Sequence, residues 1–104
     1  MIPAHVQIVV CAEAVDMRYG FDRLARVVRD LGGDPESGSL FVFANRRASR
    51  LKVVWFERHG FCMLYKRLHR AVFEVPTGDG HTLRIDAAQL AKLLEGRAKR
   101  RRMS

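Results

Sequence analysis

A chain of 104 residues, 48% of them apolar and with a formal charge of +8, has room for one domain with a modest core. No apolar run reaches the roughly 18 residues a membrane helix needs. The amino-terminal residues also lack the basic stretch and long apolar run of a secretion signal, so no membrane partner and a cytoplasmic protein are expected.

In chain order, Val6 to Cys11 (VQIVVC) reads as a first strand, entered just after Pro3. A helix is predicted over 16–31, with Asp16 as its N-cap. Phe21, Leu24, Val28 and Leu31 form its apolar face, and Arg18, Asp22, Arg26 and Asp30 form alternating charges four apart. Gly20 is a poor residue for the first turns of that helix, and Gly32-Gly33 stops it. A turn-rich loop, Asp34 to Gly38, leads into four apolar runs: Leu40–Phe43, Leu51–Phe56, Phe61–Tyr65 and Ala71–Val75. Their β-branched and aromatic content, with polar gaps, predicts a strand meander. Beyond Pro76 and a Gly-rich turn, Thr82–Ile85 forms a short strand. Asp86 and Gln89 make a capping box for a helix over 87–95, with Ile85 and Leu90 as its hydrophobic staple. Residues 1–96 are expected to be one domain, and 97–104 (RAKRRRMS) a disordered basic tail.

Charge is unevenly spread. Residues 1–45 carry four Lys/Arg against six Asp/Glu, residues 46–70 carry eight against one, and 97–104 carry five with no acid. Clustered cations of this kind suit a polyanion, because Lys and Arg displace counterions from phosphates. The candidate phosphate contacts lie in the strand connectors, at Arg46, Arg47, Arg50, Lys66, Arg67 and Arg70. The tail adds Arg97, Lys99, Arg100, Arg101 and Arg102.

No residue set signals catalysis. His5, His59, His69 and His81 lack metal-ligand spacing, Asp79 and Asp86 sit in a turn and at a cap, and Gly32-Gly33 does not follow a strand as a phosphate loop would. Cys11 and Cys62 lie inside predicted strands and read as small buried hydrophobes, and Trp55 alternates with Val53 as a packing residue. Neither an enzyme nor a cofactor is expected.

The succession DMRYGFDRLA (16–25), SGSLFVFANRR (37–47), LKVVWFERHGFCMLYKRL (51–68), FEVP (73–76) and AQLAKLLEG (88–96) resembles the TnpB accessory proteins of IS-66-type insertion sequences. These are unrelated to the RNA-guided nuclease of the same name. The resemblance implies a protein that assists transposition beside a separate, catalytic transposase, and it transfers no catalytic residue. The family's Gly-Arg-Arg-Gly-Asp-like turn is matched here by Asn45-Arg46-Arg47-Ala48-Ser49, with the paired arginines kept and the glycines replaced. The family's Asp-Trp ending is replaced by the basic residues 97–102.

The expected architecture is α+β: a mainly antiparallel sheet of five or six strands, one long helix packed on it and a short C-terminal helix. Both sheet faces are apolar around Leu51–Tyr65. The two helices are assigned to one face, leaving the other to be buried by curling of the sheet into a half-barrel or by a two-fold homodimer. Two functions fit: a DNA-binding accessory factor at the element's ends, or a protein-interaction module that docks the transposase or a second copy of itself.

Overall fold

The computed structural model describes residues 6–99. The chain forms β1 (Ile8–Cys11), α1 (Phe21–Asp30), β2 (Leu40–Ala44), β3 (Arg50–Glu57), β4 (Gly60–Arg67), β5 (Ala71–Val72), β6 (Thr82–Ile85), α2 (Ala87–Glu95) and β7 (Arg97–Ala98). Five strands make one sheet in the order β4-β3-β2-β1-β6, and β5 pairs with β7 alone.

The expected mainly antiparallel sheet is corrected to a mixed one. β1 runs parallel to β2, with Ile8 beside Leu40 and Val10 beside Val42, and the sheet is not curled. The cause lies in the order of the elements. A helix that must bury one face on the sheet stands between these two strands, and such a crossover returns the chain parallel to its start.

The single long helix is also corrected. α1 has ten residues, with Gly20 at its N-cap and no side-chain cap. Asp16 does not cap it: its carboxylate accepts from the backbone N–H of Arg18 at 2.8 Å and from the Arg18 guanidinium at 2.7 Å. This local bond competes with helix, and Gly20 adds an entropic cost, so residues 12–20 cross the sheet as an irregular strap. Arg18 thus pairs with Asp16 instead of Asp22, and its hydrogen bonds hold the Asp16 carboxyl down at about 2.

The two helices cover opposite faces. Leu24 and Val28 of α1 pack with Cys11, Phe41, Phe43 and Val54. Leu90 and Leu93 of α2 pack with Ile8, Val10, Val42, Leu51 and Val53. The second apolar face is therefore covered over β1, β2 and the inner half of β3 by the chain's own α2, without curling of the sheet, while Leu64 at its outer margin stays 40% exposed. All five residues of β2 are buried, as a strand sandwiched between two helical layers requires. The meander loses its fourth strand to the same face. After the Leu68 N–H donates to the Ser49 carbonyl at 2.8 Å, the chain leaves the sheet and buries Phe73 against the α2 core.

α2 follows the predicted bounds and cap: Gln89 N–H donates to Asp86 Oδ1 at 2.7 Å, and Asp86 N–H to Gln89 Oε1 at 2.8 Å. Gly96 ends it at φ 76°, where a Cβ would also lie 2.6 Å from Leu68 Cδ1. Residues 97 and 98, assigned to the tail by sequence, form β7. Cys11 is buried and Cys62 half-buried, both as free thiols, and burial pushes the Cys11 thiol up to about 12.

Lys52 is the one buried charged residue among those described, at 7% exposure. Its Nζ donates to the carbonyls of Met17 at 2.5 Å and Tyr19 at 2.9 Å, and lies 5.4 Å from the centre of the Tyr65 ring. Lys52→Met keeps the stem but leaves both carbonyls without their charged donor, so a loss of about 2–3 kcal/mol in urea denaturation is expected. The β3–β4 hairpin turns through Arg58 (φ 45°) and His59 (φ 74°), both left-handed and exposed. A two-residue turn of this geometry favours Asn-Gly. Replacing Arg58-His59 by Asn-Gly should raise the denaturation midpoint, corresponding to about 1–2 kcal/mol.

Candidate nucleic-acid interface

The β2–β3 connector, Asn45 to Ser49, is built around one side chain. Asn45 Oδ1 accepts from the backbone N–H groups of Ser49 (3.0 Å) and Arg50 (2.9 Å), while its Nδ2 donates to Ser49 Oγ at 3.1 Å. The main chain closes the same loop: Ala48 N–H donates to the Asn45 carbonyl at 3.0 Å, and Ala48 takes φ 53°. With its polar groups satisfied from inside, the loop turns Arg46 and Arg47 outward.

Two further segments are stitched to this loop. Leu68 N–H donates to the Ser49 carbonyl, and Phe73 N–H to the Ala48 carbonyl at 2.7 Å. Lys99 N–H in turn donates to the Arg70 carbonyl at 3.2 Å. Three stretches far apart in sequence thereby meet at one end of the sheet. They enclose a cavity of about 350 Å³ whose lining includes Arg47, Arg50, Arg67 and Lys99, together with Asn45, Ser49 and His69. Among the described residues no carboxylate lines it. Four cations with amide and hydroxyl groups among them form an anion-accepting surface, with the charge and donors that phosphate oxygens take.

The other sequence-predicted cations fall elsewhere. Arg46 and Arg70 are exposed outside the cavity lining. Lys66 points to the opposite side of β4 and donates to the Leu94 carbonyl at 2.6 Å, where it complements the last turn of α2. Arg97 Nε lies 3.5 Å from Glu74 Oε1. Arg100, Arg101 and Arg102 lie outside the described residues. Asn45, Ser49 and His69 escaped the sequence reading, although an Asn followed by Ser four residues on, in a hairpin connector, is a local signal for such a clamp.

Elsewhere, an apolar groove of about 540 Å³ runs between α2 and strands β3 and β4, lined by residues including Trp55, Leu64, Leu90 and Leu94. Trp55 packs there against the core beneath α2. Among the described residues no group of three or more His, Cys, Asp or Glu could hold a metal ion. No helix among them is long and apolar enough to cross a membrane.

Residues 6–104 match the model of a protein family described as IS66 Orf2-like protein. The chain is 41% identical to the uncharacterized protein y4hO of Sinorhizobium fredii over 99 residues, covering 92% of this chain and 86% of that protein. It is 29% identical to the uncharacterized protein y4jC of the same organism over 92 residues, covering 88% and 79% respectively. No solved structure matches. Removing the clamp tests the local account of the site. Asn45→Ala should cost about 1–2 kcal/mol and speed amide exchange at Ser49 and Arg50, as read by NMR.

Proposed function

The chain belongs to the IS66 Orf2-like family, the insertion-sequence accessory proteins, and from that premise we propose that it assists transposition by holding DNA at the element's ends. In this reading it works in the cytoplasm beside a separate transposase that performs the strand chemistry, and has no catalytic centre of its own. The observation that carries the proposal is the cavity lined by Arg47, Arg50, Arg67 and Lys99 without any acid. These four residues take backbone phosphates, flanked by Arg46 and Arg70, with Arg100 to Arg102 as a tether. Lys66 and Arg97 serve the fold instead, because their charged groups are already engaged.

The alternative reading is a protein-interaction module that docks the transposase without touching DNA. The apolar groove beside α2 is the observation in its favour.

A salt series decides between them, using a duplex with the element's terminal sequence and a scrambled duplex. Four phosphate contacts give a slope of log K against log salt near −4. Reversing Arg50 and Arg67 to Glu should weaken binding to both duplexes alike, because phosphate contacts carry no sequence information. A flat salt dependence rejects DNA binding and leaves the docking module.

A further inference from the structure

β4 is an outer strand of the sheet and eight residues long, whereas the opposite outer strand, β6, has only four. Hydrogen-bond parity on β4 follows from the bond between Leu68 N–H and the Ser49 carbonyl. Even-numbered residues face β3, so the N–H and C=O groups of Phe61, Met63 and Tyr65 point away from the sheet. These groups have no partner among the described residues. Exposed apolar side chains flank this open edge, with Leu64 at 40% and Tyr65 at 50% exposure. Long, open, apolar edges are templates for another strand.

We propose that the strand completing this edge is β4 of a second copy, paired antiparallel about a two-fold axis through Met63. In that register Phe61 lies opposite the partner's Tyr65 and Cys62 opposite the partner's Leu64, so the outward bonds and the apolar side chains match together. Shifting the axis to Leu64 would set Phe61 against the partner's Arg67 and Cys62 against the partner's Lys66, which removes the match. Glu57, Gly60 and the partner's Lys66 would stand in line on one face, across two strand spacings of about 10 Å. Lys66 already gives one donor to the Leu94 carbonyl of its own chain, so the carboxylate would face it across Gly60 as an opposite charge and not replace that bond. A parallel pairing would instead set Lys66 and Arg67 beside their own copies. Pairing of β4 with β6 would leave half of the longer edge open.

The same register brings the partner's His59 opposite Arg67. The basic hairpin tip of one copy, lying at the far end of its own sheet, would then stand beside the cationic cavity of the other.

Sedimentation equilibrium of the full chain, from low to high micromolar concentration, should show a monomer–dimer equilibrium. Tyr65→Pro removes an outward N–H without touching the β3 ladder, and should weaken association at least roughly tenfold. Circular dichroism reports whether that variant folds. Independently of it, Leu64→Cys should form a covalent dimer with Cys62 under diamide, because opposed residues of a non-hydrogen-bonded pair lie about 4.5 Å apart, within disulfide range. Lys66→Cys should not. A strict monomer overturns the proposal, as does a folded Tyr65→Pro variant that dimerises as before. If Tyr65→Pro does not fold, the absence of a Leu64→Cys dimer overturns it.

Discussion

An ammonium group inside the protein holds the two halves of the chain in register. Lys52 sits mid-strand in β3, opposite Phe43 of β2 and Tyr65 of β4, on the face covered by α1. A lone buried charge would be expensive, and here two carbonyls of the 12–20 strap and the face of Tyr65 solvate it. Without the lysine, Met17 and Tyr19 would bring carbonyls over an apolar surface with no donor. The course of the strap fixes where α1 begins and hence which residues of α1 reach the sheet. Tyr19, oriented by the same strap, places its ring 4.8 Å from the Arg23 guanidinium of the first helical turns. Among the described residues no buried side-chain polar atom is left without a partner.

The cationic cavity depends on the other face in a comparable way. Phe73 is buried among α2 and the inner strands, and its N–H meets the Ala48 carbonyl. The hydrophobic anchoring of one side chain thus brings the 68–73 segment against the β2–β3 loop. Repulsion among Arg47, Arg50, Arg67 and Lys99 is opposed by backbone hydrogen bonds and by core burial beneath them, not by acids beside them. Such a cluster stays electropositive and pre-shaped, and an anion arriving there would relieve its repulsion without ordering the loops first. Ala48, at a left-handed φ, stands where the related turn carries glycine, and the Asn45 clamp offsets the strain of that substitution.

Much of this was legible from residue pattern. The capping box at Asp86, the glycine stop at Gly96 and the strand cores at 40–43, 51–56 and 61–65 follow from local chemistry, and each lies at an observed helix end or inside an observed strand. The errors were of a different kind. Periodicity at Phe21, Leu24 and Val28 is the same whether the helix starts at 16 or 21, so only the competition between Asp16 and the helix for the backbone near Arg18 could place the start. Sheet direction is a property of the crossover, not of either strand, and the alternation within β1 and β2 says nothing about it. The assignment of helices to faces likewise has no signature in either helix alone. Of the candidate cations, the charge count could not separate Arg50, on the cavity, from Lys66, on a helix carbonyl, because neighbouring strand residues point to opposite sides.

The place of β1 in the sheet sets a timetable for synthesis. Ile8 to Cys11 leave the ribosome ahead of the rest of the sheet and find one neighbour when Leu40 to Val42 emerge. Their other edge stays open until Thr82 to Ile85 arrive, after β2 to β5 have been made. Until then the nascent chain carries a short, wholly apolar strand with one unpaired side, the feature by which chains stick to one another. The same closure ties the beginning of the domain to its end. A chain stopped before residue 82 would lack the strand that seals β1 and, with α2, the cover of an entire sheet face. Folding of this domain is thereby made to wait for residues 82–95.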